Sequence, residues 1–182
     1  MRKILFQGLV HRPLTEPAPV IEDAEIAELA ARLDKTARRR LGRSLSIRHV
    51  DAGSCNGCEL EIHALGNAFN DLERFGLRFV ASPRHADVLF VTGPVTKNMR
   101  EALERTYAAT PSPKWVVAVG ACALDGGIFA GSYAVAGGVS AIVPVDLHIP
   151  GCPPDPAALL HGLLQLLEHA DTDTPGLAAS TP

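Results

Sequence analysis

Three apolar runs, LSIRHV (45–50), DVLFVTG (87–93) and WVVAVG (115–120), each break off at a turn and give way to a different pattern. The second and third are almost continuously apolar, which marks strands buried on both faces, and such strands belong to parallel sheets covered by helices on each side. FGLRFVAS (75–82) and a short run within SAIVPVDLHIPG supply further strands. Between them, Glu59 to Phe69 and Lys97 to Ala109 read as helices, the second with Thr96 as a candidate N-cap. Ala157 to His169 carries Leu160, Leu163, Leu164 and Leu167 along one face, with Asp155 placed to cap it and Pro156 in its first turn. The expected fold class is therefore α/β, a mostly parallel sheet of about four to five strands with helices on both faces, occupying residues 45–169.

Residues 1–44 read as an N-terminal extension. Its first part is a proline-rich arm (Pro13, Pro17, Pro19). An amphipathic helix follows from Val20 to Leu41, with Ile26, Leu29, Ala30, Leu33, Ala37 and Leu41 at helical spacing. Acidic residues (Glu22, Asp23, Glu25, Glu28) start it and basic ones (Lys35, Arg38, Arg39, Arg40) end it, in accord with the helix dipole. Its polar face is either simply solvated or a docking face for a partner subunit or an anionic membrane. Residues 170–182 are expected to be a disordered tail.

The 182-residue length suits one domain plus extensions, and such a chain needs no metal merely to stay folded. A net charge of -3 speaks against nucleic acid as the main partner. No apolar run approaches the roughly 20 residues that span a bilayer. MRKILFQGLVHRPLTEP has neither twin arginines nor a small-residue cleavage site, so no export signal is expected. A cytoplasmic setting keeps thiols reduced and favours metal over disulfide for the cysteines.

There are four cysteines. Cys55 and Cys58, in DAGSCNGCELEI, leave the first strand and enter a helix; Cys122 follows the strand ending at Gly120, and Cys152 lies in IPGCPPDP. In open parallel sheets ligands bind beyond the carboxyl ends of the strands, and three strand ends here deliver thiols to that rim. Soft thiolates select zinc or iron–sulfur clusters. Four-cysteine zinc sites usually pair two C-x2-C knuckles, whereas this chain has one pair and two singles, a pattern that suits a [4Fe–4S] cubane better. Zinc and free buried thiols stay open on spacing alone. Gly57, Gly120 and Gly151 let backbone approach a cluster, and Pro153 and Pro154 stiffen the loop of Cys152.

Glu59 and Glu61 open the helix after Cys58. Dipole stabilisation explains acids there, and transfer of a proton coupled to electron transfer is the functional alternative. Gly93 allows close approach at a strand end, within a stretch from Thr92 to Thr96 suited to contacts near the site or at an interface. His63 reads as a surface or packing residue. Ser54 lacks a nucleophile elbow, and neither a dinucleotide fingerprint nor a Walker loop is present.

Four segments together, DAGSCNGCELEI, SPRHADVLFVTGPVT (82–96), VGACALDGGIF (119–129) and VPVDLHIPGCPP (143–154), resemble the small electron-transfer subunit of group 4, membrane-bound [NiFe] hydrogenases of the formate hydrogenlyase type. The superfamily includes the 20 kDa protein of respiratory complex I. The likeness runs from about Leu45 to His169. It implies a flavodoxin-like fold and one [4Fe–4S] cluster on Cys55, Cys58, Cys122 and Cys152. The implied partners are a catalytic large subunit, either [NiFe] hydrogenase-like or complex I 49 kDa-like, a ferredoxin-like cluster subunit and, indirectly, integral membrane subunits. The complex would lie on the cytoplasmic, inner face of the membrane, and the chain would be a relay with no catalytic centre of its own. In the complex I branch the first two ligands are adjacent; Asn56 and Gly57 between Cys55 and Cys58 favour the hydrogenase branch. Arg84, His85 and Asp87 also match the family, and the spacing of Glu61 from Cys58 resembles that of a glutamate in the complex I motif, which implies Glu61 as the better candidate for proton transfer. Arg84 and His85 are expected to stabilise their loop, or to lie near the cluster or an interface. The rivals are an equivalent subunit of a complex I-like quinone oxidoreductase and, from another class, a structural four-cysteine zinc interaction module.

Overall fold

The computed structural model describes residues 23–68 and 70–169. The proline-rich arm and the expected tail fall outside the described residues. Helix α1 (Asp23–Leu41) comes first, followed by strand β1 (Leu45–Asp51) and helix α2 (Gly57–Ala64). Then come β2 (Leu77–Phe79), β3 (Val88–Thr92), β4 (Val95–Thr96) and α3 (Lys97–Ala109). The last elements are β5 (Trp115–Val119), α4 (Ala121–Asp125), β6 (Val135–Gly137), β7 (Leu147–Ile149) and α5 (Pro156–His169).

Five strands form one sheet in the order β2-β1-β3-β5-β7, every neighbouring pair parallel. Counted within that sheet the order is 2-1-3-4-5, the flavodoxin-like order, as the resemblance implies. The chain leaves β1 toward one edge and returns to β3 on the other side, so a crevice opens between the carboxyl ends of β1 and β3.

Strand alternation sorts the core into two halves. Val88, Phe90, Val117 and Val119 face one side; Leu89, Val91, Val116 and Ala118 face the other. On the first side they meet α5 through Leu160, Leu163 and Leu167, and α1 through Leu29, Ala30, Leu33 and Ala37. Each fully buried leucine contributes about 1.5–3 kcal/mol. The amphipathic helix is thus a layer of the domain, with its charged face turned outward. On the second side Leu103 of α3, Ala123 of α4, Val139 and Val143 complete the packing.

Several boundaries differ from those expected of the sequence. The helix expected to reach Phe69 stops at Ala64, and the N–H of Gly66 bonds back to the His63 carbonyl; Phe69 itself is outside the described residues. The strand expected over 75–82 shrinks to Leu77–Phe79, because β2 is an edge strand paired with β1 alone and the Pro83–His85 turn carries the chain away. Thr96 occupies the N-cap position of α3 but caps nothing; its hydroxyl donates to the Ala52 carbonyl at 3.1 Å. Asp155 does cap α5, its Oδ1 accepting from the Ala158 N–H at 2.7 Å. A small antiparallel ladder joins β4 to β6, an element without a periodic signal in its glycine- and alanine-rich stretch.

Candidate metal centre

All four thiols stand at the carboxyl end of the sheet. Cys55, Cys58, Cys122 and Cys152 line one cavity of about 70 Å³, whose wall is completed by Ser54, Ala121, Pro153 and the glycines Gly57, Gly93 and Gly151. The polar groups that hold its two sides come from different elements.

The Cys55–Cys58 side is built from the end of β1. Oδ1 of Asp51 accepts from the N–H groups of Gly53 and Ser54, both at 2.8 Å, which folds the chain back on itself. Ser54 Oγ then accepts from the Asn56 N–H at 3.0 Å and donates to Glu59 Oε2 at 2.6 Å. Asn56 adopts a left-handed conformation (φ 71°), a role its short amide tolerates better than most side chains. The turn therefore presents Cys55 before, and Cys58 inside, the first turn of α2. Gly93, at the end of β3, packs against it so closely that a Cβ would lie 2.5 Å from the Ser54 Cα.

The Cys122–Cys152 side is zipped backbone to backbone. Gly120 N–H donates to the Ile149 carbonyl and Ala121 N–H to the Gly151 carbonyl, each at 2.8 Å. Gly120 (φ 86°) also backs onto the other side: a Cβ there would sit 2.7 Å from Cys58 Sγ. At Gly127 a Cβ would sit 2.9 Å from Cys122 Sγ. Two sulfurs are thus bedded against bare backbone, the kind of cradle that leaves room on their open side for a bulky soft cofactor.

That donor set and cradle fit an iron–sulfur cluster. A single zinc ion draws its thiolates to about 2.3 Å each. Among the described residues no group of three or more His, Cys, Asp or Glu side chains is arranged to hold one ion; the four thiols line one cavity.

Burial first, then the charges of Glu59 and of the other three sulfurs, pushes the Cys58 thiol up to about 11. Burial, then Cys152 and Cys55, also raises Cys122, against a lowering hydrogen bond from the Ile128 backbone. Crowded thiols resist ionising together, and a soft cation removes the penalty by replacing their protons. Partial burial pushes Asp51 up, but the Ser54 and Gly53 N–H groups outweigh it and hold the carboxyl below its ordinary range.

Of the two glutamates, Glu59 is buried (5 % exposed) and Glu61 half-buried. Glu59 belongs to a polar chain that spacing along the sequence does not disclose. Its Oε1 lies 3.5 Å from His49 Nε2, and the same nitrogen is 3.0 Å from Thr92 Oγ1. Thr92 donates to the Val50 carbonyl, leaving its oxygen to accept from His49. The one available signal is a polar residue at an inward position of a buried strand. His63 is exposed in the last turn of α2. Arg84 and His85 are exposed in the turn before β3, at the amino end of the sheet, away from the thiols. Asp87, their neighbour, is buried and paired with Arg43.

The family model described as the 20 Kd subunit of NADH ubiquinone oxidoreductase matches residues 55–166. Formate hydrogenlyase subunit 7 of Escherichia coli (strain K12) is 48% identical over 151 residues, which is 83% of this chain but 58% of that protein. The chain thus spans less than two thirds of that relative's length. The probable membrane-bound hydrogenase subunit mbhJ of Pyrococcus furiosus is 49% identical over 128 residues, 70% of this chain and 77% of that one. Among solved structures, a chain of the membrane-bound sulfane sulfur reductase, an archaeal respiratory membrane complex, superposes with a TM-score of 0.64 at 36% identity, covering 78% of this chain and 77% of that one. A chain of an NAD+-reducing [NiFe]-hydrogenase shares the fold, with a TM-score of 0.54 at 21% identity over 70% of this chain and 93% of that one.

Proposed function

This chain belongs to the family of the NADH ubiquinone oxidoreductase 20 kDa subunit, and from that premise we propose that it is the electron-relay subunit of a membrane-bound [NiFe] hydrogenase complex of the formate hydrogenlyase type. It is an oxidoreductase subunit of the hydrogenase and complex I kind. In this reading Cys55, Cys58, Cys122 and Cys152 hold one [4Fe–4S] cluster, which when bound supplies one-electron transfer between a catalytic large subunit and the cluster of a ferredoxin-like neighbour. The observation that carries it is the convergence of four thiols from three strand ends on one cavity with glycine-backed walls.

The rest of the chain supplies setting. Gly57, Gly93, Gly120, Gly151 and Pro153 shape the wall, while Glu59 and Glu61 are the acids through which a proton could follow the electron. Leu60, Leu124, Ile128 and Tyr133 are exposed in the segments beside Cys58 and Cys122. Exposed apolar side chains on the segments that carry these cysteines suit a surface meant for a partner, in this reading the large subunit. Arg84, His85 and Thr96 lie outside the cavity wall and are read as loop or interface residues. Among the described residues no helix is long and apolar enough to cross a membrane; in this reading the chain attaches peripherally through other subunits, on the cytoplasmic face.

A complex I-like or sulfur-reducing partner is the second reading, favoured by the likeness to the archaeal reductase chain. Anaerobic purification of the full chain with whatever copurifies tests both. Iron and sulfide in cluster proportion, with visible absorption that bleaches on reduction, is the expected result; colourless protein with stoichiometric zinc would overturn it. A copurifying large subunit with two C-x2-C pairs would establish the hydrogenase branch, and one without them the other.

A further inference from the structure

The two loops that carry Cys122 and Cys152 are joined by one side chain as well as by backbone. Nε2 of His148, on β7, lies 3.1 Å from the Gly120 carbonyl oxygen. A carbonyl can only accept, so this nitrogen carries the proton. The same oxygen also accepts from the Ala123 N–H at 3.2 Å, using its second lone pair. The peptide that follows Gly120 is thus held at both ends: its oxygen by His148 and Ala123, its N–H by the Gly151 carbonyl. Gly120 is the residue whose α-carbon backs onto Cys58 Sγ.

We propose that His148 is a positioning residue for the metal centre, fixing the Gly120–Ala121 peptide and through it the spacing between the Cys58 wall and the Cys122–Cys152 wall. Backbone bonds from Ala123 and to Gly151 already reach this peptide. The imidazole adds a side-chain donor from β7 itself, tying the peptide oxygen to the strand that leads to Cys152. It is anchored by the β7 backbone, opposite Ala118, only four residues before Cys152. One donor therefore links two cysteine loops and the backing of a third sulfur. The role rests on the reading of the cavity as a cluster site, but the clasp itself does not.

The test uses the full chain with its copurifying subunits, comparing wild type, His148→Gln, which keeps an N–H donor at a similar reach, and His148→Leu. Two readouts are taken: amide exchange at Ala121, and the reduction midpoint and EPR g-values of the bound cluster. His148→Leu is expected to speed Ala121 exchange about tenfold, the worth of one lost hydrogen bond, and to shift the midpoint and g-values. His148→Gln is expected to restore both toward wild type, which also rules out misfolding as the cause. If wild type contains no iron and sulfide, the cluster reading fails, and the exchange measurement on the same chains still decides the clasp. Unchanged exchange and spectra in His148→Leu, or a Gln variant as altered as the Leu one, would overturn the proposal.

Discussion

The α-carbon of Gly120 faces the sulfur of Cys58 so directly that a methyl group in between would come within 2.7 Å of Sγ. The two residues are far apart in the chain and come together because β5 ends, and α2 begins, on the same rim.

Gly120→Ala is therefore expected to cost about 1–3 kcal/mol from the left-handed φ of 86° and the blocked contact together, and to abolish iron binding. Gly131→Ala is the control: its φ is 79°, yet nothing lies within 4 Å of the added carbon. Iron content and thermal melts of both variants check this, with Gly131→Ala retaining iron.

Thiol alkylation of the metal-free chain should distinguish the four thiols. Cys55 and Cys152 are exposed, whereas the Cys58 thiol sits at about 11. At pH 8 only about one Cys58 in a thousand is thiolate, so it should react last, by a wide margin. Site-resolved mass spectrometry after timed iodoacetamide exposure reads the order. Because Cys58 and Cys122 must lose protons to bind metal, iron loading should improve as pH rises from about 6.5 to about 8.5.

Burial holds the His49 imidazole below its ordinary 6.5, despite the opposing pull of Glu59 and Asp51. The unfolded chain then takes up a proton before the folded one does. Stability present above about pH 6.5 is lost as pH falls from there through the lowered folded value. His49→Gln should flatten that part of the curve, which melting temperatures measured between about pH 7.5 and about pH 5 in the two proteins would reveal.

Ile128 is 86 % exposed, and its backbone bonds the Cys122 thiol. Replacing Ile128 by Asp should leave iron content unchanged but weaken retention of the large subunit by at least about tenfold, the usual scale for an apolar anchor at an interface centre. Pull-down of the complex with quantified subunit ratios is the measurement.

Periodicity is a good guide wherever burial is symmetric. Val88 to Thr92 and Trp115 to Val119 are apolar on both faces and are legible as central strands without any three-dimensional knowledge. It serves less well at edges. β2 has one neighbour and three residues, so its flanking apolar positions follow other demands. The four cysteines stand out because turn residues surround them, and they line one cavity in the folded chain. His49 and His148 do not stand out. Their meaning depends on what lies across a strand or beyond a neighbouring strand's end, and one-dimensional spacing carries no such information. Thr96 shows the same limit: a residue type suited to capping is drawn to the Ala52 carbonyl instead.

β7, the outermost strand on its side, has consequences for biogenesis. It is the last strand to emerge during synthesis, and Cys152 rides just behind it. Until β7 docks on β5, three sulfurs wait on a rim that has no fourth side. On the cluster reading, the receptacle is complete only once this short strand has docked, so its docking sets the earliest moment at which all four sulfurs could hold a cofactor together.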